Sequence, residues 1–490
     1  MANPADLTAP VSAPPDDEAV PYRWRWAALF VILAAEVMDL LDAMVTNIAA
    51  PSMRADLGGT GATIQWLGAA YMLSMAVGLI TGGRLGDIVG RKRMFLIGAV
   101  GFTLASLLCG AAQSPGMLIA ARVAQGLFGA VMLPQGLGMI KEMFPPKEMA
   151  AAFSFFGPVM GLSAVGGPIL AGWLVQADYF GSGWRMIFFV NLPLGLAALL
   201  AGLRFLPESR SPHPLRLDLP GVVLATLGGF LVIYPLVQGR ENGWPVWTFI
   251  MLGASVAVFA VFGRLQARKS RQGGDPLVVP SLFSKRAFTG GMATGLVFFA
   301  GMAGFMLVFN LFTQIGLGYS TLKAGLAMVP WSAGMVVGFG IVQPLQRFGR
   351  KVLQGGVLIM TLGVLGVLLT LNIAGTQVTP WQLTPALVVA GIGMSLLMAP
   401  FFDIVLAGVE QHETGSASGT LTAVQQLGNA FGVALLGTVF FDRLGSVPTP
   451  ASFDHAMKVT LWVVAGMLLA VFATAFLLPR RAREDAEASH

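Results

Sequence analysis

Apolar stretches of about 20 residues, separated by short charged or Gly/Pro-rich breaks, recur along almost the whole chain. Each is long enough to cross ~30 Å of hydrocarbon as a helix. The pattern predicts fourteen such helices, at about 26–50, 62–82, 94–113, 116–140, 149–175, 184–206, 218–239, 246–264, 287–314, 322–345, 352–373, 382–407, 415–441 and 458–479. An all-α polytopic membrane protein is expected.

Composition points the same way. Of 490 residues, 55% are hydrophobic and 11% charged, whereas a soluble chain carries charge on nearer a quarter. The first 20 residues hold "PPDDE" where the basic and apolar segments of a cleavable signal would lie, and are expected to form a disordered cytoplasmic tail. A single cysteine, Cys109, allows neither an intramolecular disulfide nor a thiolate cluster. The four histidines, His213, His412, His455 and His490, fall outside the apolar runs, which argues against a buried histidine metal site. No Gly-Lys dipeptide occurs, so a Walker A loop is absent and ATP is not expected as the energy source. Neither metal nor organic cofactor is expected.

A net charge of +6 would suggest nucleic acid in a soluble protein, but here its distribution sets topology. With both termini in the cytoplasm, the cytoplasmic segments hold 23 Lys and Arg and the external loops 6, leaving Arg122 inside a span. Cytoplasmic loops collect such residues. The orientation follows.

An internal repeat divides the chain. "RLGDIVGRKRM" (84–94) joins helices 2 and 3, and "PLQRFGRKVLQ" (344–354) joins helices 10 and 11, although Gln346 stands where Asp87 would be matched. Two glycines five apart recur as Gly167/Gly172 and Gly432/Gly437. The expected layout is 6 + 2 + 6: a tail at 1–22, six helices over 23–206, two extra helices over 207–264, a basic linker at 265–286, six helices over 287–479 and a tail at 480–490. Parallel six-helix repeats suggest rocking about a midplane site.

The polar positions inside the spans carry the candidate chemistry. "AAEVMDLLDAMVTNIAAP" (34–51) holds three acids, each costing ~2.5–3.5 kcal/mol at helix depth on insertion-type scales. At 100° per residue Glu36, Asp39, Asp42, Thr46 and Asn47 fall within an arc of about 140°, the acids spread over ~9 Å. Such a stripe faces a watery cavity rather than lipid. Helix 4 runs inward and helix 1 outward, so Arg122 and Asp42 share the outer half and are expected to interact. One intramembrane base cannot pair with three acids, so at least one is expected to carry a proton, Asp42 first, then Asp39. Position and polarity add Gln125, Asn310, Gln314, Trp331, Asp403 and Gln425 as candidates for binding substrate, with Asp42 and Asn47; most such residues serve packing.

Five motifs resemble those of a known family. "LDAMVTNIAAPS" (41–52), "GGRLGDIVGRK" (82–92), "RVAQG" (122–126), "GPVMGLSAVGGPILAGW" (157–173) and "WRMIFFVNLPLG" (184–195) occur in the order of the fourteen-span, EmrB/QacA-type drug:proton antiporters of the major facilitator superfamily. Glu36 and Asp39 are not part of that family's first-helix signature. The resemblance implies that Gly83, Asp87, Gly90, Arg91 and Lys92 form a conformational latch. It also implies that Gly157, Pro158, Gly161, Gly166, Gly167, Pro168 and Gly172 make a flexible inter-half contact in helix 5.

The function expected is export of lipophilic organic compounds, cations favoured, in exchange for protons. Its partners would be those compounds, protons and the bilayer, with no nucleic acid; a monomer in a prokaryotic cytoplasmic membrane is implied. A narrow exporter of one natural product or lipid would carry the same motifs. No catalytic cluster suggests an enzyme.

Overall fold

The structure, a computed structural model, describes residues 22–145, 148–149, 151–152, 155–210, 216–345, 348–406, 409, 414–445 and 448–479. The chain folds into long helices: α1 (Arg25–Leu57), α2 (Gly61–Val89), α3 (Arg91–Gly110), α4 (Pro115–Met143), α5 (Phe156–Ala177), α6 (Gly183–Phe205) and α7 (Leu219–Gln238). They continue as α8 (Val246–Arg271), α9 (Arg286–Gly316), α10 (Thr321–Val342), α11 (Arg350–Gln377), α12 (Pro380–Leu406), α13 (Ser416–Leu444) and α14 (Pro450–Leu477). Among the described residues twelve, α2–α4 and α6–α14, are long and apolar enough to cross a membrane, and no strand occurs. Of the other two, α1 has 33 residues and interrupts its apolar stretch with three acids, and α5 has 22. Of the expected tails at 1–22 and 480–490, all but Tyr22 lie outside the described residues, as does Gln346.

Local chemistry sets the helix ends. Ser114 accepts from the Met117 N–H with Pro115 in the first turn, and Thr449 and Ser452 form a reciprocal capping box before α14. Gly90, at φ 120°, turns the chain between α2 and α3, a conformation closed to L side chains.

α1–α6 pack chiefly on one another, most extensively α2 and α3 on α4, and so do α9–α14, led by α11 on α12 and α9 on α13. α7 and α8 pair together, and α7 also touches α2 and α13. α8 is the least covered, with 11% of its apolar window buried. The two bundles meet mainly through α2 against α13 and α5 against α10. Gln426 of α13 donates to the Met75 sulfur of α2 (3.5 Å) midway along both helices, and the other hydrogen bonds between the bundles stand at the end opposite the basic loops. There Gln65 of α2 donates to the Ala434 carbonyl (3.0 Å) and the Thr438 hydroxyl (3.3 Å), and Gln314 of α9 to the Ile48 carbonyl (2.6 Å). Gly172 of α5 lies so close to the Leu322 backbone of α10 that a Cβ would clash.

Candidate functional site

A buried polar cluster occupies the core of the first bundle. Asp42 on α1 is fully buried, and its two oxygens divide their partners. Oδ2 accepts from Arg122 Nη1 of α4; Oδ1 accepts from Gln125 Nε2 at 2.8 Å and from Asn191 Nδ2 of α6 at 2.9 Å. Ser106 of α3 closes the ring by accepting from Gln125 (2.8 Å) and Asn191 (3.3 Å). Four helices thus converge on one carboxylate.

Arg122 is held as tightly as its partner. Besides Asp42, its guanidinium donates to Gln125 Oε1 (2.6 Å) and to the Leu67 carbonyl (3.2 Å), and it stands 4.1 Å from the Tyr71 ring centroid. The Gln125 carbonyl oxygen therefore faces the cation while its amide nitrogen faces the carboxylate, which fixes its orientation. Charge-assisted hydrogen bonds of this kind are roughly twice as strong as neutral ones, and desolvation raises the cost of losing any partner.

The other acids are treated differently. Asp39 is buried and accepts from the Tyr71 hydroxyl of α2. Glu36 is partly exposed and makes no hydrogen bond or ion pair among the described residues. The stripe thus runs from a fully enclosed acid to an open one. Thr46 turns its hydroxyl back onto the Asp42 carbonyl (2.8 Å); the Asn47 side chain lies outside the described ones.

The remaining candidates scatter. Gln314 donates to Asn310 (2.7 Å) as well as to Ile48, tying α9 to α1. Trp331 is buried and stacks on Phe305 with ring centroids 5.4 Å apart, so it presents no open surface. Gln425 is partly buried, and Asp403 is exposed near the basic end of α12.

The loop after α2 holds its charges within the first bundle. Arg91 donates to Asp87 (2.9 Å) and to Glu142 of α4, and Lys92 to the Leu203 carbonyl (2.9 Å). Gly83 lies against Pro134 of α4. These residues knit α2, α3, α4 and α6 together, and among the described residues none of their hydrogen bonds or ion pairs reaches the second bundle. Arg84, unremarked in the sequence, is buried and donates to the carbonyls of Arg216 (2.8 Å), Asp275 (3.3 Å) and Pro276, strapping α2 to the segments flanking α7 and α8. Beside it Asp218 caps α7 through the Gly221 N–H (3.1 Å) and accepts from Gln266 (2.7 Å), the Leu277 N–H (3.0 Å) and Lys269 (3.1 Å).

In α5 the side-chain surroundings of Gly157, Pro158 and Gly161 lie outside the described ones. Gly166 faces open space, Gly167 lies against Met44 and Leu41 of α1, and the Pro168 carbonyl leaves no room for a side chain at Gly325 of α10. Close backbone approach on two faces is what small residues permit between membrane helices.

The sequence alone does not single out Ser106, Asn191 or Tyr71 as site residues. The signal existed for Asn191, the only polar side chain in "IFFVNLPLG"; a serine or tyrosine in an apolar run carries none.

A profile of the Major Facilitator Superfamily matches residues 32–433. The chain is 51% identical over 467 residues to a Streptomyces coelicolor protein named "Probable actinorhodin transporter", covering 93% of this chain and 81% of that one. It is 35% identical to the puromycin resistance protein pur8 of Streptomyces alboniger, covering 96% and 94%. Among solved structures, a POT family transporter in complex with 5-aminolevulinic acid superposes with a TM-score of 0.66 at 14% identity, over 92% of this chain and 96% of that one, a likeness of fold alone.

Proposed function

The chain belongs to the major facilitator superfamily, and from that membership we propose that it is a proton-coupled antiporter exporting lipophilic organic compounds across the cytoplasmic membrane. We assign it to the fourteen-span, EmrB/QacA-type branch, with 6 + 2 + 6 helices and both ends inside. The observation that carries the proposal is the imbalance of the polar stripe: three acids on α1, two of them buried, meet one buried base, Arg122, and that base is spent on Asp42.

The same imbalance bears on cargo. Arg122 is committed to Asp42, Gln125, the Leu67 carbonyl and the Tyr71 ring, whereas Glu36 is partly exposed with no bonded partner among the described residues, which leaves it available to a proton or a cation. Competition between the two couples their flows. Contacts at the outer end, Gln65 to α13 and Gln314 to α1, hold that end shut, and alternating access requires them to break. The Asp87–Arg91–Glu142 group would keep the first bundle rigid while it rocks.

A narrower reading, export of a single natural product, is favoured by relatives named for one compound, actinorhodin and puromycin among them. Proteoliposomes with an acidic lumen and an internal pH dye separate the two. Lipophilic cations should release lumenal protons through the unaltered protein and not through Asp42→Asn. Silence toward the whole cation panel, with a response to one neutral antibiotic, would sink the broad reading and leave the narrow one.

A further inference from the structure

Asp42 and Asp39 lie one helical turn apart, yet their hydrogen-bond partners differ in kind. Two of the three donors around Asp42, Arg122 and Gln125, cannot reverse; the third, the Asn191 amide, is not so fixed, so the ion pair is what sets Asp42 apart. Arg122 has only N–H groups to offer. Gln125 cannot turn its amide over, because its carbonyl oxygen already accepts from Arg122 at 2.6 Å. A proton on Asp42 would break the ion pair and strand a buried guanidinium, the costly way to open such a pair. Asp39 has one partner among the described residues, the Tyr71 hydroxyl, and a hydroxyl both donates and accepts. It donates to a carboxylate and accepts from a carboxylic acid, with no heavy atom required to move.

Resting on the antiport reading above, we infer that Asp39 carries the exchanged proton through a reversible hydrogen bond with Tyr71, while Asp42 is a fixed counter-ion to Arg122. A proton from outside water adds to an Asp39 oxygen. The new O–H donates to Tyr71, whose own hydrogen turns aside and stays on its oxygen. When the site opens inward that O–H bond breaks, and the proton leaves to water past Glu36, one turn nearer the basic end and partly exposed. One proton enters and one leaves. The charged and titratable groups around Asp39 are Glu36 and Asp42 on α1, Tyr71 on α2, Cys109 on α3 and Arg122 on α4, and α6 adds only the neutral Asn191. Loading Asp39 changes the cluster by one charge without disturbing the Asp42–Arg122 pair. That single charge is what a cationic cargo competes for.

Infrared difference spectroscopy on the purified protein in nanodiscs, cycled between neutral and acidic buffer with no cargo present, tests this. The carbonyl band of a protonated carboxylic acid should grow in acid and be lost in Asp39→Asn. In Tyr71→Phe the band should persist and move to higher frequency, because the acid has lost its acceptor. Glu36→Gln should remove a different contribution and leave this one. A band that survives Asp39→Asn unchanged, or one that stays unshifted in Tyr71→Phe, overturns the assignment. The tyrosine variant keeps the acid, so it decides the question even if Asp39→Asn does not fold. No cargo is involved, so a silent transport panel beside a band that behaves as expected would count against the exporter reading and not against Asp39.

Discussion

The side-chain amide of Asn191 lies 2.9 Å from Oδ1 of Asp42, joining α6 to α1 across 149 residues of sequence. Replacing Asn191 by Leu removes one donor to a buried charged group, at a cost of about 1.5–3 kcal/mol. Asn191→Asp should be worse, since it sets a second carboxylate beside the first. Thermal unfolding in detergent, followed by tryptophan fluorescence, should rank the three proteins in that order.

Loss of Arg122 should be more damaging still. Arg122→Ala leaves Asp42 buried without a counter-charge, and breaking a buried pair from one side costs about 3–5 kcal/mol. Adding Asp42→Asn to Arg122→Met should recover most of the unfolding temperature while proton-coupled transport stays absent. A double variant no more stable than Arg122→Met would show that the pair is not what the site depends on.

The α5–α10 contact predicts a shift in conformation. Gly172→Val cannot seat its side chain against the Leu322 backbone, so the outer ends of the two bundles must part. Because Cys109 is buried, a thiol introduced as Ala434→Cys, a buried position whose carbonyl still accepts from Gln65, reports there against a low background. Maleimide labelling should be slow with Gly172 in place and several-fold faster with valine.

Asp218 predicts a pH dependence. Burial pushes its carboxyl up, but hydrogen bonds from Gln266, the Gly221 N–H, Lys269 and the Leu277 N–H outweigh this and hold it below the usual carboxylate range. A depressed carboxyl contributes stability in full above its unfolded pKa, near 3.9, and loses it as pH falls through the lower folded value. Asp218→Asn should therefore unfold at lower temperature than the unaltered protein at neutral pH. The gap should close as the buffer is taken well below about pH 4. A gap constant across that range would mean that the Asp218 charge contributes nothing.

Charge was the part of the site most legible in the sequence. Acids in an apolar run are costly enough to announce themselves, and helix direction alone put Asp42 and Arg122 at one depth. What encloses them was not legible, because Ser106, Asn191 and Tyr71 are ordinary in a membrane helix, and only the packing of the bundle aims Asn191 and Tyr71 at the acids and Ser106 at Gln125 and Asn191. Arg84 was hidden for another reason: its acceptors are backbone carbonyls at residues 216, 275 and 276, which no side-chain pattern encodes. Trp331 shows the same limit in another form, since a tryptophan facing a cavity and one stacked on Phe305 have the same neighbours in sequence.

The fully buried charged side chains among the described residues, Asp39, Asp42, Arg84, Arg122 and Asp218, all precede α7, and none comes from α9–α14. Electrically, then, the two bundles are unlike. A membrane potential does about 2.3 kcal/mol of work per charge moved through 100 mV. On the antiport reading proposed above, that work would fall on the first bundle, where a proton taken up by the stripe would change the net charge. Among its described residues the second bundle holds no such buried charged side chain, so on that reading it would be the surface against which the first is pulled.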